Sequence, residues 1–406
     1  MTDLKKDLFI NTILFTVMKV DANKVSLIQR KVRLEKYLIK NLGRIKMVPL
    51  LPDLFPSLFL FDPSRVNESS TELKVEIESM VKEYMSLDVE VMWETREVVI
   101  AFEDWDLKRI FRAVLPKDLE FSSYSQVGHI VHVNLRENLL PYKKIIGQIL
   151  LEKVSKCRTV VNKIDSITNE YRNFELDLLA GADDYVTELG ESGLKYRLDF
   201  SKVFWNSRLS HEHERVVKLF KSLSLVYDVC AGVGPFVLPA IKKGRSIRVL
   251  ANDLNPESVR WLKENVIVNK IPADKMQVYN LDANEFIREV VANDLSQELQ
   301  KAKTSEITPS EANVLMNLPA HAINFLPSFK GLLSKHVTSE LSLTFPVKVY
   351  CYLFVKVRTV SSRKEMFCVQ MDLSLDFLLN NGSSAGLKRD DDEETDLVLL
   401  KRPKFD

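Results

Sequence analysis

At 406 residues, 46% hydrophobic and 28% charged, the chain is long enough for two or three domains with separate cores, and its composition excludes a disordered or membrane-embedded protein. No window approaches a membrane span. A formal net charge of +1 decides nothing about polyanionic partners, because 57 basic side chains nearly cancel 56 acidic ones, so local distribution has to carry that question.

In chain order, Asn11 to Val20 is an apolar, β-prone run, and Val25, Ile28 and Val32 then recur at helical spacing before Leu34 and Leu38. Pro49, Pro52, Pro56 and Pro63 punctuate the next stretch. A second helix is expected over roughly Thr71 to Ser86, followed by the alternation Val89, Val91, Trp93 and the strand Glu97 to Ile100. These elements make a small N-terminal domain, residues 1–95. It is basic: residues 1–47 hold eleven Lys or Arg against four acidic residues. Residues 143–172 hold seven against three. Two such regions can straddle a polyanion, although solvated helix faces have the same composition. Residues 96–198 read as a compact α+β platform through Arg112 to Pro116, Gly128 to Leu135 and a helix after Pro141. Over 199–378 the pattern becomes strand, glycine turn, helix, strand, helix, which predicts a doubly wound parallel sheet. Val290 to Ala312 is polar and reads as a mostly exposed helix or loop inserted between sheet elements. Residues 379–406 form a charged tail expected to be disordered, and Lys401-Arg402-Pro403-Lys404 fits a short nuclear import signal. Cys157, Cys230, Cys351 and Cys368 form no C-x-x-C pair, which argues against a zinc site or a disulfide framework and for a reducing compartment.

The chemistry is placed at the turn Asp228-Val229-Cys230-Ala231-Gly232-Val233-Gly234-Pro235, which follows an expected strand Leu223 to Val229. Gly232 and Gly234 let the backbone pass close to a ligand. The third glycine of the dinucleotide fingerprint is missing, which favours a nucleoside over a pyrophosphate. The next strand, Ile247 to Ala251, leads to Asp253, about twenty residues past the glycines, where a carboxylate can accept both ribose hydroxyls. Asn255 is placed to cap a helix whose first residue is Pro256. A third strand, Gln277 to Leu281, ends at Asp282-Ala283, where the carboxylate can receive an adenine amino group. Singly, each acid is also a common helix cap or turn former. In order, the three point to one crevice.

A fourth strand ends in Val314-Leu315-Met316-Asn317-Leu318-Pro319, and the Asn317 amide offers a donor and an acceptor to a flat base or to the methionine end of a cofactor. Ahead of the sheet, Phe204 to Arg215 crowds Arg208, His211, Glu212, His213 and Glu214 around a helix start, with Ser210 or a neighbour as cap. That density suggests an active-site rim. A metal reading of the same residues lacks a second His/Cys cluster.

These blocks together resemble the archaeal and eukaryotic tRNA (guanine-37-N1)-methyltransferase family, its eukaryotic members above all. Besides the glycine turn, the resemblance rests on Arg112 to Pro116, Gly128-His129-Ile130 through Asn134-Leu135-Arg136, Val161 to Ile164, Tyr171 to Phe174, Arg208 to Arg215 and Asn317-Leu318-Pro319, and it spans most of the chain. It implies a class I Rossmann-like S-adenosylmethionine methyltransferase domain, preceded by an α+β RNA-binding domain and a small basic N-terminal α/β domain. It also implies methyl transfer to N1 of guanosine 37, with Glu212 as general base, Arg172 stabilising charge on O6 and Asn317 orienting the guanine. His213, Asp228, Gly232, Gly234, Asp253, Leu254, Asp282, Ala283 and Asn317 are the expected cofactor contacts. The partner expected is tRNA, touched at the anticodon loop and outer corner, with guanosine 37 flipped into a cleft between the last two domains. A monomer is expected, without a membrane. Two positions depart from the pattern: Phe204 stands where archaeal relatives commonly have tyrosine, and Ser207 where many have proline. Alternative activities are an aminocarboxypropyl transferase acting later on the same nucleotide, or a catalytically silent tRNA-binding protein. Asp3 and Asp7 make the N-terminus unlike a typical mitochondrial presequence, while eukaryotic relatives occupy cytoplasm, nucleus and mitochondria.

Overall fold

A computed structural model describes residues 4–39, 57–85, 89–167, 174–335, 342–355, 365–380 and 399–400. The chain divides into two compact units, one comprising Met1–Ser125, Val131–Asn162 and Leu178–Ala182, the other Gln126–Ile130, Lys163–Asp177 and Asp183–Asp406.

In the first unit, β1 (Asn11–Val20) is the middle of a three-stranded antiparallel sheet, flanked by β2 (Ser57–Leu60) and β3 (Met92–Ile100). Between β1 and β2, α1 (Ala22–Lys31) starts at Asp21, whose carboxylate accepts the Asn23 N–H at 3.0 Å. The residues expected at helical spacing, Val25, Ile28 and Val32, are buried against Met18, Phe59 and Phe61 together with Ile77 and Val81 of α2 (Thr71–Met85). A separate core forms beneath α3 (Leu107–Val114) and α4 (Lys143–Lys153), from Ile110, Phe111, Ile145, Ile146, Ile149 and Leu150 with Val131, Val133 and Val160.

The second unit contains a hairpin, β4 (Val186–Glu191) and β5 (Leu194–Asp199), turned by Ser192 and Gly193 with φ of 53° and 78°. Two consecutive left-handed residues are the geometry of a type I′ turn, whose twist matches that of paired strands. Next come a single 3₁₀ turn Ser207–Leu209 and α5 (Ser210–Leu219). The cap is Asn206, whose side chain accepts the Arg208 N–H at 3.1 Å, and not Ser210, because the 3₁₀ turn already supplies α5 with its first turn.

The rest is the sheet predicted from the sequence. Its strands are β6 (Ser224–Asp228), β7 (Ser246–Asn252), β8 (Met276–Tyr279), β9 (Ala312–Met316), β10 (Val347–Val355), β11 (Glu365–Leu373) and β12 (Leu399–Leu400), in spatial order β8-β7-β6-β9-β10-β11-β12. The first five in that order are parallel, and β11 and β12 are antiparallel. Every residue of β6 and β9 is buried, as expected of central parallel strands covered on both faces. From β6 the chain steps through α6 (Val237–Lys242) to β7, through α7 (Pro256–Val268) to β8, and then returns to the other side of β6 as β9. The order therefore reverses between β6 and β9, which opens a crevice beyond their carboxyl ends.

The stretch Val290 to Ala312 is partly helical, one of its two expected forms, but its helix is less exposed than expected. A one-residue-wider turn at Phe286–Val291 continues the short helix α8 (Ala283–Glu285) into α9 (Ala292–Lys301), which buries Ala292, Leu295 and Leu299 against Tyr227, Leu250 and Val314. Its polar residues are also engaged: Arg248 bonds Asp294 at 2.7 Å and Glu298 at 3.1 Å, and the Tyr227 hydroxyl donates to Asp294 at 2.8 Å. A narrow apolar stripe with a paired polar flank reads as solvent-exposed when the partner residues lie in distant strands.

Candidate active site

At the tip of β6 the Val229 N–H still bonds the Leu315 carbonyl at 2.9 Å, and the Ala231 N–H then turns to the Asn252 carbonyl at 2.7 Å. Gly232 (φ 55°) and Gly234 (φ 98°) both occupy the left-handed region, but for different reasons. A Cβ on Gly234 would lie 2.6 Å from Leu262 Cδ1 and 2.9 Å from Leu238 Cγ, so this glycine lets α6 and α7 close on the turn. A Cβ on Gly232 would meet nothing within 4 Å, so here the backbone borders open space.

Asn252, fully buried, fastens the neighbouring tips together. Its Nδ2 donates to the carbonyls of Val229 (3.1 Å) and Leu281 (3.0 Å), and its Oδ1 accepts the Leu281 N–H (2.9 Å). Asn280 adds bonds to the carbonyls of Asp253 (2.8 Å) and Leu254 (2.9 Å). Asp253 is held between the Gly232 N–H, 2.7 Å from Oδ2, and the Asn255 N–H, 2.9 Å from Oδ1. Its carboxylate thus shapes the glycine turn directly. Leu254 is 41% exposed beside it. Asp282 is exposed and caps α8 through Oδ1, which accepts the N–H groups of Asn284 and Glu285, while Ala283 is buried in the core.

Asp228 is fully buried; Oδ1 accepts only the Cys230 N–H, at 3.3 Å, and Oδ2 has no hydrogen-bond partner among the described residues. Burial pushes this carboxyl up to about 8; the Cys230 N–H opposes the shift and the charge of Asp253 adds to it. Burial also raises Asp253, against its bonds from Asn255, Gly232 and Ser258. An orphaned carboxylate oxygen at a strand tip, next to a glycine that borders open space, fits a ligand with a cationic end. S-Adenosylmethionine, with its ammonium and sulfonium, is such a ligand. Asn317 is half-buried just beyond β9, where Leu315 pairs with Asp228.

On α5, Glu212 is 6% exposed and its carboxylate is fully engaged. Arg215 donates from Nε at 2.8 Å and from Nη2 at 2.7 Å, and the Tyr352 hydroxyl of β10 donates at 2.8 Å. His213 is buried beside it and faces a different partner, Glu191, with Nδ1 2.7 Å from Oε1. Its ring stands edge-on against Phe236 at 4.7 Å, just past the glycine turn. Arg172 lies outside the described residues. Sequence reasoning brought Asp228, Asp253, Asn317 and the glycines to one end of the sheet, and missed Asn252, Glu191, Arg215 and Tyr352. Of these, only Arg215 carried a signal, its spacing of three residues from Glu212 on a helix.

A sheet with this strand order and a Gly-x-Gly turn at its switch point matches, over residues 187–336, the family model described as TRM5/TYW2 methyltransferase domain, and residues 107–184 match the TYW2 N-terminal domain. Fold, turn and match define a Rossmann-like, S-adenosylmethionine-dependent methyltransferase. Among its relatives are the tRNA (guanine(37)-N(1))-methyltransferases of Caenorhabditis elegans, 44% identical over 93% of this chain and 89% of that protein, and of Drosophila melanogaster, 39% identical over 82% and 80%. The chain belongs to the tRNA (guanine(37)-N(1))-methyltransferase family. Its fold is also similar to that of aTrm5 in the complex of aTrm5 with tRNALeu, with a TM-score of 0.56 and 18% identity over 88% of this chain and 99% of that one.

Proposed function

We propose that this chain transfers a methyl group from S-adenosylmethionine to N1 of guanosine 37 in tRNA, next to the anticodon, and so supports reading-frame maintenance. The observation that carries the reading is the near full-length likeness to enzymes named for that reaction. Those names favour methyl transfer over aminocarboxypropyl transfer and over a silent tRNA-binding role.

Residues holding S-adenosylmethionine would be Asp228, Gly232, Gly234, Asp253, Leu254, Asp282 and Ala283 at the strand tips, with His213 and Asn317. Bound there, it supplies the methyl group on an electrophilic sulfonium. Guanine N1 carries a proton and is a poor nucleophile until that proton leaves, which is the task assigned to Glu212. The bidentate Arg215 pair and the Tyr352 hydroxyl favour the carboxylate form that can accept it. The same three bonds weaken the carboxylate as a base, so one must lengthen as the proton arrives. Charge moving to O6 is assigned to Arg172, whose guanidinium can donate two directed hydrogen bonds. Asn317 orients the purine edge through its paired donor and acceptor.

For tRNA binding, we assign the outer corner to residues 1–95 and the anticodon loop to residues 96–198 together with the sheet domain, residues 199–378. The chain works as a monomer in cytoplasm and nucleus, and in the mitochondrial matrix. The decisive assay incubates the purified chain with methyl-labelled S-adenosylmethionine and tRNA transcripts bearing guanosine or adenosine at position 37. Label is expected on N1 of guanosine 37 alone. Transfer that ignores the base, or that delivers the aminocarboxypropyl group, overturns the reading.

A further inference from the structure

The bonded pair of His213 and Glu191 is not explained by the roles assigned so far. Both side chains are only 5% exposed, and Glu191 ends β4 at the two-residue turn of the hairpin. That hairpin is fixed in place. Asn265 of α7 accepts the Arg197 N–H at 2.7 Å and donates to the carbonyls of Arg197 (3.1 Å) and Val233 (3.2 Å), while Asn269 accepts the Lys195 N–H at 3.0 Å and donates back at 2.7 Å. One side chain, Asn265, thus ties the strand that returns from Glu191 to the glycine turn itself. Around the pair lie two buried donors without partners among the described residues, the Tyr196 hydroxyl and the Trp205 indole N–H, on rings 5.2 Å apart, with Trp205 6.4 Å from His213. A buried polar pair adds little net stability over an apolar pair of the same volume. Stability alone therefore does not account for Glu191.

We propose that Glu191 is a positioning residue of the cofactor site: its carboxylate holds His213 with the proton on Nδ1, so that Nε2 is presented as the ring's acceptor beside the glycine turn. A carboxylate only accepts, so the 2.7 Å contact requires a proton on Nδ1. The ring plane is set by that bond and by Phe236 at 4.7 Å. The inference rests on the reading of His213 as a contact of S-adenosylmethionine, and Glu191 acts only through it.

The test is a double-mutant cycle on the full chain, with the Kd of S-adenosylmethionine read by calorimetry and KM read separately for S-adenosylmethionine and tRNA. Glu191→Ala is expected to weaken S-adenosylmethionine binding about tenfold or more, the lower end for one hydrogen bond to a charged group. The KM for tRNA stays unchanged. Glu191→Gln, whose amide oxygen still accepts from Nδ1, recovers most of the loss. In a His213→Ala background, Glu191→Ala adds nothing further. Additive losses, or a loss confined to the KM for tRNA, overturn the proposal. A nitrogen–proton correlation spectrum of the wild-type imidazoles, with His213 assigned by His213→Asn, needs no Glu191 variant to fold: Nδ1 bearing the proton supports the proposal, and a bare Nδ1 overturns it. A wild-type chain that binds S-adenosylmethionine but leaves guanosine 37 unmethylated removes the proposed function, while the binding cycle still decides the role of Glu191.

Discussion

Asp228 is the most buried acid among the residues proposed to hold S-adenosylmethionine. Its carboxyl is raised from 3.8 to about 8, so the folded chain prefers the neutral form. The stability gained from that neutral form is fully present below 3.8 and is lost as pH rises through about 8. A cationic ligand beside Oδ2 would reverse the preference, with loss of the proton on binding. At pH 7, calorimetric titration with S-adenosylmethionine in buffers of different ionisation enthalpy is expected to show release of roughly one proton. Asp228→Asn abolishes the release and weakens binding. A binding enthalpy independent of buffer would show that Asp228 is already ionised. The place of the acid beside the Gly-x-Gly turn was legible in the sequence, although an acid at a strand end also serves as a helix cap or turn former; its burial was not. The missing part was Asn252: an asparagine within a β-prone run has no local signature, and its bonds reach Val229 and Leu281 across 23 and 29 residues of chain.

Among elements, the sequence and the structure agree where local chemistry dominates. β1 has its expected limits, and α7 has Asn255 as its cap, bonded to the Glu257 N–H at 3.0 Å, with Pro256 first in the helix. They diverge at α9, whose burial depends on Arg248 and Tyr227 from other strands. The join between α5 and β10 is of that second kind, since Tyr352 reaches Glu212 across 140 residues. If Glu212 is the base proposed above, the join also bears on catalysis. Removing that donor with Tyr352→Phe keeps the Arg215 pair but takes one donor from Glu212, and a carboxylate with fewer donors holds its proton more strongly. The acid limb of the kcat/KM pH profile should therefore move to higher pH, with a loss of about 1–2 kcal/mol in unfolding free energy from the lost hydrogen bond. Denaturant melts and steady-state rates across pH measure the two effects separately. An unmoved acid limb would mean that Glu212 is not the group titrating in that profile.

For the whole molecule, a net charge of +1 conceals a basic surplus in residues 1–47, and the structure shows where part of it is presented. Arg30 and Lys31 close the last turn of α1, where they complement the helix dipole, and Arg33 follows Val32; all three are exposed. Their neighbours Val25, Ile28 and Val32 are buried, so the helix is held by its apolar face and the cations are left to water. Reversing their charge with Arg30→Glu, Lys31→Glu and Arg33→Glu together should cost about 1–2 kcal/mol, the loss of the favourable helix-dipole contacts, because exposed charges contribute little else to folding. The effect on a polyanion is different in kind. Each cation that neutralises a phosphate releases a counterion, so the logarithm of tRNA affinity falls with the logarithm of salt concentration, by close to one unit of slope per contact. If all three touch the tRNA backbone, the triple variant should raise the KM for tRNA and flatten the salt dependence by about three units. The KM for S-adenosylmethionine and kcat at saturating tRNA should stay as they are, because the strand tips lie in the other compact unit. Measuring KM for tRNA from low to physiological salt decides the matter: an unchanged slope would make these residues a solvated helix end and move the tRNA contact elsewhere on the chain.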